Sequence, residues 1–408
     1  MTWQGKRILL VNKFYYNRGG AEVVTLTLRE ALERAGAVAG VFTMAYHSNE
    51  GGERVWTAPE VSFKTGGAAG KVAFARRVLG LDDTARRFAK VLDTFRPDVV
   101  HLHNIHSYLS PVVAQVATER GVRVVWTFHD YKSVCPAYAC LNKGKPCERC
   151  LTRRNAILTQ RCFKDSYLAG AMAWLEARRW SLRRLEQLTD AFVCPSVFIR
   201  DLMAKGGMNP DKLHVINNFV DPIKLDTLLA DDSNIARGND LLYVGRLSSE
   251  KGVATLLETV RRMGDRTLRV AGKGPEMATL REQYSNTPGI TFLGQLTAPE
   301  VARELQRARA IVVPSECYEN NPLTVIEALC AGTPVVGARI GGITELLDEG
   351  RNGLTFTAGD SADLERALRS VMSDDFAPDS DAIAAEARRR FSSESHLEKL
   401  LPIYFPER

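Results

Sequence analysis

Short apolar runs rich in branched residues recur along the chain, separated by stretches whose apolar positions repeat at three and four residues. The runs predict strands at Arg7–Asn12, Asp98–His103, Arg123–Phe128, Ala191–Pro195, Leu213–Asn217, Asp240–Gly245, Leu268–Gly272, Ile290–Gly294, Ala310–Pro314 and Thr333–Gly337. Between the first two, Val24, Leu28, Ala31, Leu32 and Ala35 fall on one face of a helix. Strands of this kind alternating with helices predict parallel sheets covered on both faces. No repeat or low-complexity stretch marks a boundary, so the rhythm alone places one at the polar corner Asn217–Pro222. The expected fold class is α/β, with two Rossmann-like, doubly wound parallel-sheet domains facing a central cleft. Residues 1–217 and 218–385 form the two domains, and a helical segment, 386–408, packs back on the first. Ligands of such domains bind outside the carboxyl ends of the strands.

A length of 408 residues suits two domains, and 45% hydrophobic with 25% charged residues is ordinary globular composition. Lys and Arg number 54 against 48 Asp and Glu, a net charge of +6. That mild excess fits an anionic ligand or an anionic membrane surface, and lacks the dense basic stripe of a nucleic-acid binder. The opening Met1–Arg7 leads straight into a strand-like run, too short for a secretory signal. No window approaches the ~18 apolar residues that span a bilayer. The expected location is cytoplasmic, with peripheral contact at the inner membrane face as an option, and the eight cysteines are expected to be reduced or metal-bound.

Candidate chemistry concentrates after the strands. Asn17-Arg18-Gly19-Gly20-Ala21-Glu22 joins the first strand to the first helix, where Gly19 and Gly20 let the backbone approach an anion at a helix start. A plain strand-to-helix turn is the alternative. The loop lacks the Gly-x-Gly-x-x-Gly fingerprint, which speaks against a nicotinamide-dependent oxidoreductase. In the second half, Gly245-Arg246 ends a strand and Lys251-Gly252 opens the next helix. Arg246 offers a forked donor set and Lys251 a point charge, a pair suited to clamping a diphosphate. Two solvated surface charges would look the same.

The segment Pro314–Ala328 is the most informative. Pro322 suits the first turn of a helix and Gly332 its C-terminal cap, which leaves Glu319 in the preceding loop and Glu327 in the second helical turn. The unpaired N–H groups of Leu323 and Thr324 lie between these acids. Carboxylates that accept from sugar and ribose hydroxyls, beside a helix start that holds phosphate, suit a sugar nucleotide. Alternatively Glu327 meets the helix dipole and Glu319 is a surface charge.

With these residues the chain resembles the family-four retaining glycosyltransferases of GT-B architecture, over nearly its whole length and most strongly in its second half. Glu319 and Glu327 match the family's two glutamates separated by seven residues. The resemblance implies that Glu319 contacts the donor sugar, Glu327 the ribose, and that Arg246 and Lys251 stabilise the leaving diphosphate. It also implies that Gly19 and Gly20 form the N-terminal glycine loop, that His129 approaches the reacting sugar, and that Gly294-Gln295-Leu296 receives the nucleobase. Asn320-Asn321-Pro322 stands where many members carry Phe-Gly-like residues, so the donor-sugar pocket is this chain's own. The expected reaction is transfer from a nucleoside-diphosphate sugar to a sugar, glycan or lipid-linked acceptor, in polysaccharide or glycoconjugate synthesis, with retention of configuration. No Asp-x-Asp metal–nucleotide motif occupies a suitable loop, so catalysis is expected to need no metal. A sugar-nucleotide epimerase and a non-catalytic nucleotide-sugar binder are the rival readings.

Three features stand apart. Cys135, Cys147, Cys150 and Cys162, with Cys140 nearby, have spacings of eleven, two and eleven residues, a tetrahedral structural-zinc pattern in an inserted loop near 135–162. Free thiols, disulfides and an iron–sulfur cluster are the alternatives. His101, His103 and His106 read as a strand end with one histidine touching acceptor, or as a metal site. Arg178, Arg179, Arg183 and Arg184 with Trp174 and Trp180 read as a solvated helix or a membrane-surface face, and the basic segment Phe63–Arg77 is equally open.

Overall fold

A computed structural model describes residues 2–63, 67–221, 225 and 237–407. The chain forms two compact units. The first comprises Met1–Asn142, Cys147–Asn217 and His396–Arg408, the second Lys143–Pro146 and Asn218–Ser395. Pro222, expected at the boundary corner, lies outside the described residues, as do residues 64–66 of the basic segment.

The first unit contains strands β1 (Arg7–Val11), β2 (Val38–Met44), β3 (Val55–Ala58), β4 (Val99–Leu102), β5 (Arg123–Thr127) and β6 (Leu141–Asn142), while the two-residue β7 (Lys145–Pro146) is grouped with the second. β8 (Ala191–Cys194) and β9 (Leu213–Val215) complete the first unit. The seven long strands pair in the order β3-β2-β1-β4-β5-β8-β9, all parallel. In the second, β10 (Leu241–Val244), β11 (Leu268–Ala271), β12 (Ile290–Gly294), β13 (Ala310–Val313), β14 (Val335–Ala338) and β15 (Gly353–Phe356) pair in the order β12-β11-β10-β13-β14-β15, again parallel. The strand order reverses beside β1 in one sheet and beside β10 in the other, which places a switch-point crevice at the carboxyl ends of β1/β4 and of β10/β13.

The ten expected strands are present, Ile290–Gly294 with the expected ends and the others with ends shifted by one or two residues. β2, β3 and β15 were not expected. β2 reads Val-Ala-Gly-Val-Phe-Thr-Met, and its Gly40 is small because an added Cβ would stand 2.8 Å from the Trp56 ring. The helix Gly20–Arg34 buries Val24, Leu28, Ala31 and Leu32 as the periodicity requires. The return to the first unit begins at His396, ten residues later than expected, because the helix Ser380–Arg390 packs on the helix Leu323–Cys330 of the second unit through Ile383 and Ala387. The helix Ser393–Tyr404 ends in the first unit, where Tyr404 bonds His101, Trp3 meets Tyr404 edge-on at 5.4 Å, and Arg123 Nε donates to the Ile403 carbonyl at 2.8 Å.

Candidate active site

The second unit joins Lys251 and Glu319 at the β10/β13 switch point. β10 runs into Gly245-Arg246, where the Tyr243 hydroxyl donates to the Arg246 carbonyl at 2.8 Å. Arg246 itself is exposed and pairs with no described carboxylate. A 3-10 turn, Ser249–Lys251, follows, and Gly252 adopts φ 66° to start the helix Val253–Met263. Only glycine fits there, since a Cβ would fall 1.9 Å from the Pro314 carbonyl oxygen. That packing draws the Lys251 turn against the loop after β13.

Lys251 Nζ donates to Glu319 Oε1 at 2.6 Å, and the Ser315 hydroxyl donates to the same oxygen at 2.6 Å. Burial is the largest single effect on the Lys251 ammonium and would lower it, but the charge and hydrogen bond of Glu319, with smaller contributions from Cys317 and Glu250, together raise the group above its ordinary value. Burial raises the neighbouring Cys317 thiol to about 12, aided by the Glu319 charge. The Glu319 backbone is gripped from the far side: Gly342 N donates to its carbonyl at 2.7 Å, and Gly341, at φ 59°, packs so close that a Cβ would stand 2.2 Å from that oxygen.

Pro322 is the N-cap of the helix Leu323–Cys330, one position earlier than expected. Val325 and Ile326 donate back to its carbonyl, while Leu323 and Thr324 offer N–H groups with no backbone acceptor among the described residues. Glu327 sits one turn in, and burial pushes its carboxyl up to about 7. Asn321 is turned into the protein: Asn218 N donates to its side-chain oxygen at 2.8 Å, and Asn218 Nδ2 to its carbonyl at 2.8 Å. It shapes the loop's frame. Gln295 and Leu296 follow β12, with Gln295 exposed. Ser315, Gly341, Gly342 and Asn218 escaped the sequence reading. The Gly341-Gly342 pair just after a strand was the available signal.

In the first unit Gly19 is the N-cap of the helix Gly20–Arg34, and both glycines are exposed. Gly19 is extended, at φ −170°, so room for close approach is what it supplies. His129 follows β5 and its Nε2 lies 2.9 Å from His103 Nδ1. Burial lowers His129 to about 3, so its ring is neutral. His101 and His103 are buried, and His101 is tied to Thr127 Oγ1 at 2.7 Å and to Tyr404. Of the three clustered histidines, His106 lines a cavity. This cavity of about 230 Å³ has aromatic walls, among them Phe63, Phe74 and Phe163, and a polar side that includes Asp130. Its floor holds a buried ion pair, Lys132 Nζ to Glu176 Oε2 at 3.0 Å. Burial opposes ionisation of Glu176, but the Lys132 charge leads the effects that hold its carboxyl below the ordinary value, and the Ser107 hydroxyl also donates to it.

Among the described residues no three His, Cys, Asp or Glu side chains stand arranged to hold a metal ion. Trp180, read as part of a solvated helix or a membrane-surface face, is buried and donates to the Val78 carbonyl at 2.9 Å. Among the described residues no helix is long and apolar enough to cross a membrane.

Comparison with known proteins follows the same division. The profile described as Glycosyltransferase Family 4 matches residues 18–224, more than half of the chain, and that described as Glycosyl transferases group 1 matches residues 238–374. The chain belongs to glycosyltransferase family 4. Along most of its length this family-four chain is similar to an uncharacterized 42.6 kDa protein of the cps region of Klebsiella pneumoniae, 25% identical over 83% of this chain and 87% of that one. It is 29% identical to sulfoquinovosyl transferase SQD2 of Arabidopsis thaliana, over 50% of the chain and 42% of the relative. Glycogen synthase of Mycobacterium tuberculosis is 38% identical over 36% of the chain and 37% of the relative. The matches to these two relatives span under half of their length. The lipopolysaccharide outer core galactosyltransferase WaaB superposes with a TM-score of 0.67 at 18% identity, covering 98% of this chain and 99% of WaaB. Anabaena Alr3699/HepE, solved with UDP-glucose, gives 0.66 at 16%, covering 97% and 98%. These likenesses show the fold, which is GT-B.

Proposed function

We propose that this family-four chain transfers a sugar from a nucleoside-diphosphate sugar to a hydroxyl of a glycan or lipid-linked acceptor, with retention at the anomeric carbon. The observation that carries the reading is the β10/β13 switch point, where a cation, a carboxylate and an open helix start share one rim. The diphosphate takes the free N–H groups of Leu323 and Thr324, and Arg246 and Lys251 meet its charge. A phosphate that engages Lys251 releases Glu319 to accept from donor-sugar hydroxyls, with Asn320 beside it. Glu327 accepts from ribose, and Gln295 and Leu296 receive the base. As the glycosidic bond breaks, negative charge grows on the departing diphosphate, and the two cations supply the stabilisation that a divalent metal would otherwise give. Gly19 and Gly20 let the first unit's backbone approach the donor, and His129 serves the reacting sugar. The aromatic-walled cavity beside His106 and Asp130 takes the acceptor, because flat rings suit the apolar faces of sugars and the carboxylate accepts their hydroxyls.

A thermal-shift panel of nucleoside diphosphates and nucleotide sugars tests the donor, beginning with the UDP sugars that HepE suggests; specific binding raises the melting temperature by mass action. No shift with any nucleotide would sink the reading. Product formation without acceptor would favour an epimerase, and NMR of the product's anomeric proton tests retention. Tyr167, Leu168 and Leu175 are exposed on a helix that also carries Arg178, which favours peripheral contact with anionic membranes. Co-sedimentation with vesicles should rise with anionic lipid content, and indifference to lipid charge would discard this part.

A further inference from the structure

The segment between β5 and the helix Tyr167–Arg179 has little regular structure. It holds the β6–β7 hairpin of two-residue strands, the four-residue helices Arg149–Thr152 and Ile157–Gln160, and one 3-10 turn. Its backbone is costly. Among the described residues ten non-glycine positions have positive φ, and six of them lie here: Tyr138, Cys140, Lys143, Arg161, Lys164 and Asp165. Left-handed conformations at such residues persist only where the surroundings over-determine them. Elsewhere a hydrophobic core does this; here the buried apolar side chains apart from cysteine are Phe128, Tyr131, Val134, Ala137, Leu151 and Ile157, spread along about forty residues.

The same segment carries five of the eight cysteines, and the structure gathers them. Cys135, Cys140 and Cys150 are buried, and the Cys135 thiol is in hydrogen-bond contact with both of the others. Cys147 and Cys162 stand at the edge, near enough to interact electrostatically with Cys150 and with each other. All five are free thiols. As they stand, the thiols do not surround a common metal position. The cluster's membership also differs from the spacing-based set, since Cys140 lies at its centre.

We propose that this thiol cluster is a structural zinc site in which Cys135 and Cys150 are two of four ligands and the other two come from Cys140, Cys147 and Cys162. Two thiolates on one tetrahedral zinc, with Zn–S near 2.3 Å, lie about 3.8 Å apart, which is the separation of thiols in hydrogen-bond contact. A small side-chain rotation therefore suffices to open the centre. Each ligating thiol gives its proton to water as its bond to zinc forms, and no electron moves. The ion holds a strained loop that has no core of its own, and with it the cavity wall to which Lys132, Tyr138 and Phe163 contribute.

The test is metal analysis of the full chain purified without chelator, with hydrogen exchange across residues 131–166. About one zinc per chain is expected, lost in C135S and C150S and kept in C194S, with two of C140S, C147S and C162S also losing it. Chelator should raise exchange in this segment and lower the melting temperature. Should C135S fail to fold, cobalt(II) added to the stripped wild-type chain should give thiolate-to-cobalt absorption. Fewer than about 0.3 zinc per chain with no response to chelator overturns the proposal; so does iron in place of zinc, a disulfide from Cys135 to either neighbour, or no cobalt–thiolate band.

Discussion

Lys251 and Glu319 form a 2.6 Å pair whose side chains are 29% and 14% exposed, so the pair is only partly screened and each partner depends on the other. Lys251→Ala removes the cation and leaves Glu319, among the described residues, its Ser315 donor; in the proposed reaction the leaving diphosphate also loses a stabilising charge. Turnover should fall at least ~100-fold, the usual scale for one such donor, with a smaller change in donor affinity; a near-normal kcat would take Lys251 out of the site. Because the two act as a unit, the Lys251→Ala/Glu319→Ala double variant should lose less than the product of the single losses. Glu327 carries the second residue-scale prediction. Its folded value, about 7, lies above that of an unfolded glutamate, so the folded state holds a proton that the unfolded chain has released. The stability it contributes is full in acid and is lost as pH rises through about 7. Glu327→Gln keeps the shape without the titration, so the variant should gain on the wild type in melting temperature from pH ~5 to ~8. Parallel curves would mean that Glu327 is ordinary.

At the level of elements, backbone contacts at glycine set the positions of the side chains just described. Gly252 joins the Lys251 turn to the β13 loop, and Gly341 presses the β14 loop onto Glu319. Gly341→Ala should cost about 1–3 kcal/mol of stability from its left-handed φ. It should also lower kcat beyond what the stability loss explains, because the displaced atoms belong to the Glu319 backbone. Wild-type kcat in folded Gly341→Ala would show that the loop tolerates displacement. The legible part of this architecture was the part that apolar continuity writes: β1, β4, β5, β10 and β13 are buried on both faces and stand out as apolar runs. β3, with its exposed Thr57, and β15, with a glycine and a threonine among four residues, carry too little apolar signal. Glu319, Glu327, Arg246 and Lys251 were readable because each follows a strand end or opens a helix. Ser315 and the turn of Asn321 toward Asn218 were not, because both depend on long-range packing that no local pattern encodes.

The two units differ in how they should respond to acid. The first unit buries His101, His103 and His396 and encloses much of His129, and desolvation is the leading cause that lowers all four, His129 to about 3 and His396 to about 4. Each is neutral when folded and takes a proton near pH ~6.5 when unfolded. The unfolded state therefore binds more protons below that pH, and the stability these residues contribute is whole above it and declines as pH falls toward the folded values. The slope approaches about 1.4 kcal/mol per pH unit for each histidine that must charge. Tyr404 and Asn217 hold two of these rings, His101 through a hydroxyl and His396 through a carbonyl 3.0 Å from Nδ1, so the return helix is part of the acid-sensitive structure. In the second unit Glu327, whose carboxyl is strongly raised, acts in the opposite sense and gains stability in acid. Hydrogen exchange corrected for its intrinsic pH dependence should show protection of β4, β5 and the helix Ser393–Tyr404 falling between pH ~7 and ~5, while that of β10 and β13 holds or rises. Protection falling equally in both sheets would mean that the buried histidines do not govern the acid response.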